Sequence, residues 1–120
     1  MRDLNSQISR LGKSGRWWEA FQVFKAIKQQ GLQPNVFIYN TMIGAFGRGK
    51  QPERAFEIFE EMKKRGLEPN VITYNALISS CEKSKQPERA LEIFEEMKRR
   101  GLQPTVITYN ALISACEKGK

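Results

Sequence analysis

An all-α solenoid of stacked helix-turn-helix hairpins is the fold this sequence predicts, on three observations. Leu-x-Pro recurs at Leu32-Gln33-Pro34, Leu67-Glu68-Pro69 and Leu102-Gln103-Pro104, each 35 residues after the last. Tyr39, Tyr74 and Tyr109 keep the same register, as do Gly31, Gly66 and Gly101, and Ala20, Ala55 and Ala90. Within a period, two apolar stripes at helical spacing are separated by a short polar break. A fixed period of about 20–50 residues marks a stacked repeat, in which each unit buries its apolar face only against its neighbours. The chain accordingly divides into 1–35, 36–70 and 71–105, with 106–120 expected to be the first helix of an incomplete fourth unit, acting as a cap.

The third unit gives the reason for each element in turn. Val71, Tyr74, Ile78 and Cys81 lie three and four residues apart and form one apolar stripe, widened by Leu77, which predicts a helix over 71–83. Ser84-Lys85-Gln86 is the connection. Pro87 opens the second helix, where its missing N–H costs nothing in the first turn. Ala90, Ile93, Phe94 and Met97 make the second stripe. Gly101 follows the basic last turn as a C-terminal cap, and Pro104 stops the helix from continuing. On the outer side, Glu95–Arg99 and Glu96–Arg100 are i,i+4 pairs in the favourable order, as are Glu60–Lys64 and Glu61–Arg65. Such pairs contribute about 0.2–0.5 kcal/mol each. They also place most of the acidic charge on the second helices.

The net charge is +7 with no histidine, which favours a polyanionic partner, nucleic acid ahead of an acidic membrane surface. A basic but otherwise ordinary soluble surface is the plain alternative. Cys81 and Cys116 occupy the slot that Leu11 and Phe46 fill in earlier units, so both are expected in the core, as neither disulfide nor metal ligands. There is no signal peptide, no run long enough to span a membrane and no low-complexity tail. With no histidine and no recurring acidic pair beyond Glu82 and Glu117, neither catalysis nor a cofactor or metal is expected.

The first helices carry a second line of residues, offset from the core stripe. It reads Arg2, Asn5, Ser9, Lys13 in the first unit and Phe37, Asn40, Gly44, Arg48 in the second. It continues as Ile72, Asn75, Ser79, Lys83 and Ile107, Asn110, Ser114, Lys118. Stacking turns these into parallel rows of apolar, amide, small and cationic side chains on an exposed face. Single-stranded RNA needs such a set: apolar wedges between bases, amides for base edges, cations for phosphates.

Val-Ile-Thr-Tyr-Asn-Ala-Leu-Ile-Ser, Ala-Leu-Glu-Ile-Phe-Glu-Glu-Met-Lys and Gly-Leu-x-Pro resemble the pentatricopeptide repeat family, P-type, across essentially the whole chain and best over 36–105. The first unit departs most, with Met1-Arg2-Asp3-Leu4 in place of the usual apolar start and tyrosine, and Trp17-Trp18 in place of Pro-Glu. The resemblance implies a right-handed superhelix in which one repeat reads one RNA base. The readers it implies are the residue after the tyrosine and the last residue before the next repeat. Here these are Asn5 with Asn35, Asn40 with Asn70, and Asn75 with Thr105, while Asn110 lacks a partner. The family rule gives this set a pyrimidine preference. The same resemblance makes Phe37, Ile72 and Ile107 base wedges and Lys13, Arg48, Lys83 and Lys118 phosphate contacts. It further implies action by occupancy in RNA processing or stability within a chloroplast or mitochondrion.

The same residues have structural readings. Asn35, Asn70 and Thr105 precede helices and are of the types that cap them. Asn40, Asn75 and Asn110 sit inside helices, where asparagine is a poor former, so their recurrence at an exposed site points to binding. The tyrosines belong with the core, and Trp17 and Trp18 are expected as core and cap. A tetratricopeptide-like scaffold for a protein or peptide is the competing function, since Ala55…Phe59 and Ala90…Phe94 share its spacing. It leaves the asparagine and cation rows unexplained. The open last half-unit, with Ile113 and Cys116, is a candidate surface for a homodimer.

Overall fold

The computed structural model describes residues 2–118, with side chains from Ser6 onward. The helices are α1 (Arg2–Lys13), α2 (Trp17–Gln29), α3 (Val36–Arg48), α4 (Pro52–Lys64), α5 (Val71–Lys83), α6 (Pro87–Arg99) and α7 (Val106–Lys118), with no strand among the described residues. The helices expected over 71–83 and from Pro87 therefore form where proline, glycine and the apolar stripes place them.

Odd helices pack side by side in order, α1 on α3, α3 on α5 and α5 on α7. Each even helix rests on the odd helix before it and the one after it, and no backbone contact joins one even helix to the next. The odd row is drawn together while the even row splays, so the stack, 43 × 28 × 22 Å, curves around the odd layer. Small residues permit the close approach. A Cβ on Gly12 would meet Thr41 Cγ2 at 3.0 Å, and one on Gly47 would meet Ser80 Cβ at 3.2 Å.

The core repeats with the period. Tyr39 and Tyr74 are fully buried, with Phe24, Phe46, Phe59, Met42 and Met62 around them. Each tyrosine ring meets the preceding unit's phenylalanine edge-on, Phe24 with Tyr39 at 5.4 Å and Phe59 with Tyr74 at 5.6 Å. Each hydroxyl donates to a glutamate of its own hairpin, Tyr39 to Glu61 at 2.7 Å and Tyr74 to Glu96 at 2.8 Å.

The Leu-x-Pro signature has a local cause. Gly31, Gly66 and Gly101 take φ of 78–80°, and the next N–H reaches back to the last helical turn, as in Leu67 N to Met62 O at 3.1 Å. Leu32, Leu67 and Leu102 then fold onto the core, which is the hydrophobic closure that accompanies this cap. The turn inside each hairpin is built in the same way, but with Gly15 at φ 75° in the first unit and Lys50 and Lys85 at 58° and 59° in the next two.

Four expectations need correction. Glu60 and Glu95 pair with Lys63 and Lys98 at i,i+3 rather than with Lys64 and Arg99, because each lysine also lies over a phenylalanine, Phe59 or Phe94. Glu61–Arg65 and Glu96–Arg100 do form, and Lys28–Glu61 and Lys63–Glu96 tie successive even helices together. Trp17 packs on Phe46 at 5.9 Å and fits only because Gly49 has no Cβ, whereas Trp18 is exposed rather than part of the core. Cys81 is buried, and burial pushes its thiol up to about 11, but Cys116 is only half-buried. Tyr109 likewise stands exposed on α7, unlike its two buried counterparts, because no second helix covers that face among the described residues.

Candidate nucleic-acid interface

The offset line of the first helices lies along the concave odd layer. Phe37, Ile72 and Ile107 project from it with exposures of 50%, 63% and 66%, large apolar side chains left in solvent at one position per unit. A niche of about 310 Å³ is lined by Phe37 and Ile72 together with Asn40, Thr41, Gly44, Ala76, Lys13 and Arg48. The wedge, amide and cation rows thus meet around one space.

The amides behave differently from the exposed row expected. Asn40 is 9% exposed, and a hydrogen-bonded junction with the next unit accounts for its burial. At the start of α5, Asn70 Oδ1 accepts from Thr73 N at 3.1 Å, and Thr73 Oγ1 accepts from Asn70 N at 3.0 Å, a reciprocal capping box. Because Asn70 Oδ1 is an acceptor there, the atom of Asn40 facing it at 3.1 Å must be the donor, Nδ2. The hydroxyl of Thr73 keeps its proton for Asn40 Oδ1, at 2.5 Å. Asn40 is therefore held in one amide orientation, with its oxygen turned inward to Thr73. The two N–H groups of Asn70 Nδ2 and the second N–H of Asn40 have no partner among the described residues.

The next junction repeats the pattern with a hydroxyl cap. Thr105 N donates to Thr108 Oγ1 at 3.0 Å, and Thr108 Oγ1 donates to Asn75 Oδ1. Asn75 Nδ2 faces Thr105 Oγ1 at 3.4 Å. Two of the three reader pairs expected from sequence, Asn40 with Asn70 and Asn75 with Thr105, are thus brought together across unit boundaries. Asn35 caps α3, accepting from Ile38 N at 3.0 Å. Its expected partner Asn5, like Arg2, lies outside the described side chains. Asn110 is exposed on α7.

The cation row is partly engaged. Arg48 donates to Gly12 O at 3.1 Å, a link back to the preceding unit made possible by the missing side chain of Gly44, where a Cβ would sit 3.1 Å from the guanidinium. Lys118 binds Glu82, and Lys83 lies 4.0 Å from the same carboxylate. Lys13 is exposed and lines the niche.

Sequence reasoning misses two participants and leaves a third, Glu82, only as one member of an acidic pair. Thr73 and Thr108, both fully buried, sit one residue before the tyrosine, and Ile38 holds that place in the second unit. Glu82 stands where earlier units have Gly12 and Gly47. The only available signal was the departure from register at those positions. On the opposite, even-helix face a second cavity of about 420 Å³ lies over Phe21, Phe24 and Phe46. Among the described residues no group of three or more His, Cys, Asp or Glu is placed to hold a metal ion. No helix among the described residues is long and apolar enough to cross a membrane.

Residues 11–49, 23–84 and 57–118 match the family model described as pentatricopeptide repeat domain. Among solved structures, the chain is similar to the pentatricopeptide repeat protein PPR10 in complex with an 18-nt psaJ RNA element, at 31% identity over 93% of this chain with a TM-score of 0.85. A second structure, of PPR10 from maize, gives 31% identity over 96% of this chain and a TM-score of 0.86. The chain spans 16% of the length of PPR10 in both. The fold is also that of the PPR domain of Arabidopsis thaliana protein-only RNase P 1 in complex with tRNA, at 24% identity, covering 97% of this chain and 62% of that one, with a TM-score of 0.82. Comparison with curated proteins returned no match.

Proposed function

Because this chain belongs to the pentatricopeptide repeat family, we propose that it is a module for sequence-selective binding of single-stranded RNA, reading about one base per repeat. The observation that carries the reading is the pairing of Asn40 with Asn70, and of Asn75 with Thr105, beside the exposed wedges Phe37, Ile72 and Ile107. A base seated between Phe37 and Ile72 would lie over the Asn40–Asn70 pair, whose outward groups are N–H donors. Pyrimidines carry acceptors for such donors, O2 and N3 in cytosine and O2 and O4 in uracil, which is compatible with the pyrimidine preference that the family rule implies. PPR10, solved with an RNA element, gives the partner class.

The cations supply the phosphate contacts, with Lys13 and Arg48 nearest the niche and Lys83 and Lys118 shared with Glu82. The module acts by occupancy, covering a short run of nucleotides against nucleases or pairing, in organellar RNA processing or stability. No side chain in the groove is assigned a catalytic step. A second copy stacking on the exposed Tyr109 and Ile113 of α7 would give a homodimer, which sedimentation at rising concentration reports.

Competition among RNA homopolymers at two salt concentrations tests the reading. Poly(C) and poly(U) should displace a labelled pyrimidine strand better than poly(A), and less well as salt rises. Equal displacement by all three, or a peptide library binding the concave face in their place, would return the chain to the scaffold class.

A further inference from the structure

Resting on the RNA-binding reading, we propose that Thr73 and Thr108 are the positioning residues that set base selectivity, by fixing which way the amides of Asn40 and Asn75 face. Each lies 33 residues beyond the asparagine it holds, in the next unit, and neither reaches the groove. Both are fully buried.

A primary amide offers a donor on one side and an acceptor on the other, and rotating it by half a turn exchanges them at almost no steric cost. An asparagine that reads a base is selective only if that exchange is blocked. At Asn40 two bonds block it: Nδ2 to Asn70 Oδ1 at 3.1 Å and Oδ1 from Thr73 Oγ1 at 2.5 Å. Flipping the amide would set oxygen against oxygen at Asn70. At Thr73 it would exchange the short bond to Asn40 Oδ1 for a longer one to Asn70 Oδ1, at 3.1 Å.

The hydroxyl's own direction is set by the backbone. Thr73 Oγ1 already accepts from Asn70 N, so its single proton is free to point at Asn40. The orientation of the reading amide is thus inherited, through one buried hydroxyl, from the capping box that starts the next helix. Asn70 serves helix, neighbour and groove at once, and Thr73 is what makes those roles compatible. The same chain of donors links Thr105 N, Thr108 Oγ1 and Asn75 Oδ1. In the second unit the position holds Ile38, which has no hydroxyl to give, so the first unit boundary lacks this lock.

The test compares wild type, Thr73→Val and Thr73→Ser in titrations with single-stranded RNA oligonucleotides that differ only at the base over the second unit. Valine keeps the volume and removes the hydroxyl, while serine restores it. Wild type should favour pyrimidine at that base. Thr73→Val should lose about three- to tenfold of the pyrimidine-to-purine ratio, the size of one neutral hydrogen bond. Thr73→Ser should recover the ratio. A purely structural role for Thr73 would weaken all oligonucleotides alike and leave the ratio unchanged, and that result overturns the proposal while the RNA reading stands. A wild type without base preference overturns both, and is recognised before any variant is compared.

Discussion

Asn70 Oδ1 accepts two hydrogen bonds at once, from Thr73 N at 3.1 Å in its own helix and from Asn40 Nδ2 at 3.1 Å in the preceding unit. One side-chain oxygen therefore starts α5 and joins two repeats at the groove surface. Capping and the proposed base reading, which look like rival explanations in the sequence, would use different atoms of the same amide: the oxygen caps, and the nitrogen is left for a base.

Asn70→Ala removes both bonds and leaves the Asn40 donor without its partner. N-cap loss costs about 0.5–2 kcal/mol, and an orphaned polar group adds about 1–3 kcal/mol when buried. The variant should lose about 2 kcal/mol in urea unfolding, together with its pyrimidine preference. Asn70→Asp, which keeps the capping oxygen, should hold most of the stability.

Glu82→Gln frees Lys118, and with it Lys83, from the one carboxylate that holds both cations on the groove side of α5. Exposed ion pairs are worth little, about 0–1 kcal/mol, but on the RNA-binding reading the glutamate would compete with phosphate for the same cations. RNA affinity at low salt should rise about threefold, and the slope of log K against log salt should steepen by about 0.7 for each additional phosphate neutralised. An unchanged slope would remove Lys83 and Lys118 from the phosphate row.

Lys85→Gly relieves a left-handed backbone at φ 59°. That conformation costs about 1–2 kcal/mol for a residue with a Cβ, against about 0.5–1 kcal/mol of extra chain entropy for glycine. The net stabilisation should be about 0.5 kcal/mol, read as a rise of a few degrees in melting temperature. Gly15 already occupies the equivalent turn in the first unit.

The convex network makes stability depend on pH at both extremes. Burial works against the charge of Glu61, but hydrogen bonds from Tyr39 and Lys28 and the charges of Lys28 and Arg65 outweigh it, holding the carboxyl below its ordinary 4.5. A depressed acid contributes stability above its unfolded value, and loses it as pH falls through the folded one. Burial, then the bond to a glutamate, raises Tyr39 and Tyr74 above their ordinary 10.0, so their contribution is present below pH 10 and lost as pH climbs past the folded value. Melting temperature should be level from about pH 5 to pH 9 and fall on either side. In Glu61→Gln the acid-side fall should be shallower.

What could be read from sequence was whatever depends on neighbours along the chain. Pro87 starts α6, Gly101 closes it and the stripe Val71–Cys81 places α5, because propensity, capping and helical periodicity act within a turn or two. Thr73 with Asn40 and Glu82 with Lys118 stayed hidden, since those partners are 33 and 36 residues apart and meet only when units stack. Asn40 falls in an exposed row by sequence because its helical phase is offset from the core stripe. It is buried because the next unit's cap closes over it, a contact between units that no single-helix pattern contains.

The most direct measurement follows the side-chain amide resonances of ¹⁵N-labelled protein during titration with a short oligocytidine. The Nδ2 signals of Asn40, Asn70 and Asn75 should shift together and saturate, with smaller changes for an oligoadenosine of equal length. Shifts confined to residues around the even-helix cavity, such as Phe21 and Phe46, with those three amides unmoved, would contradict base reading at the unit boundaries.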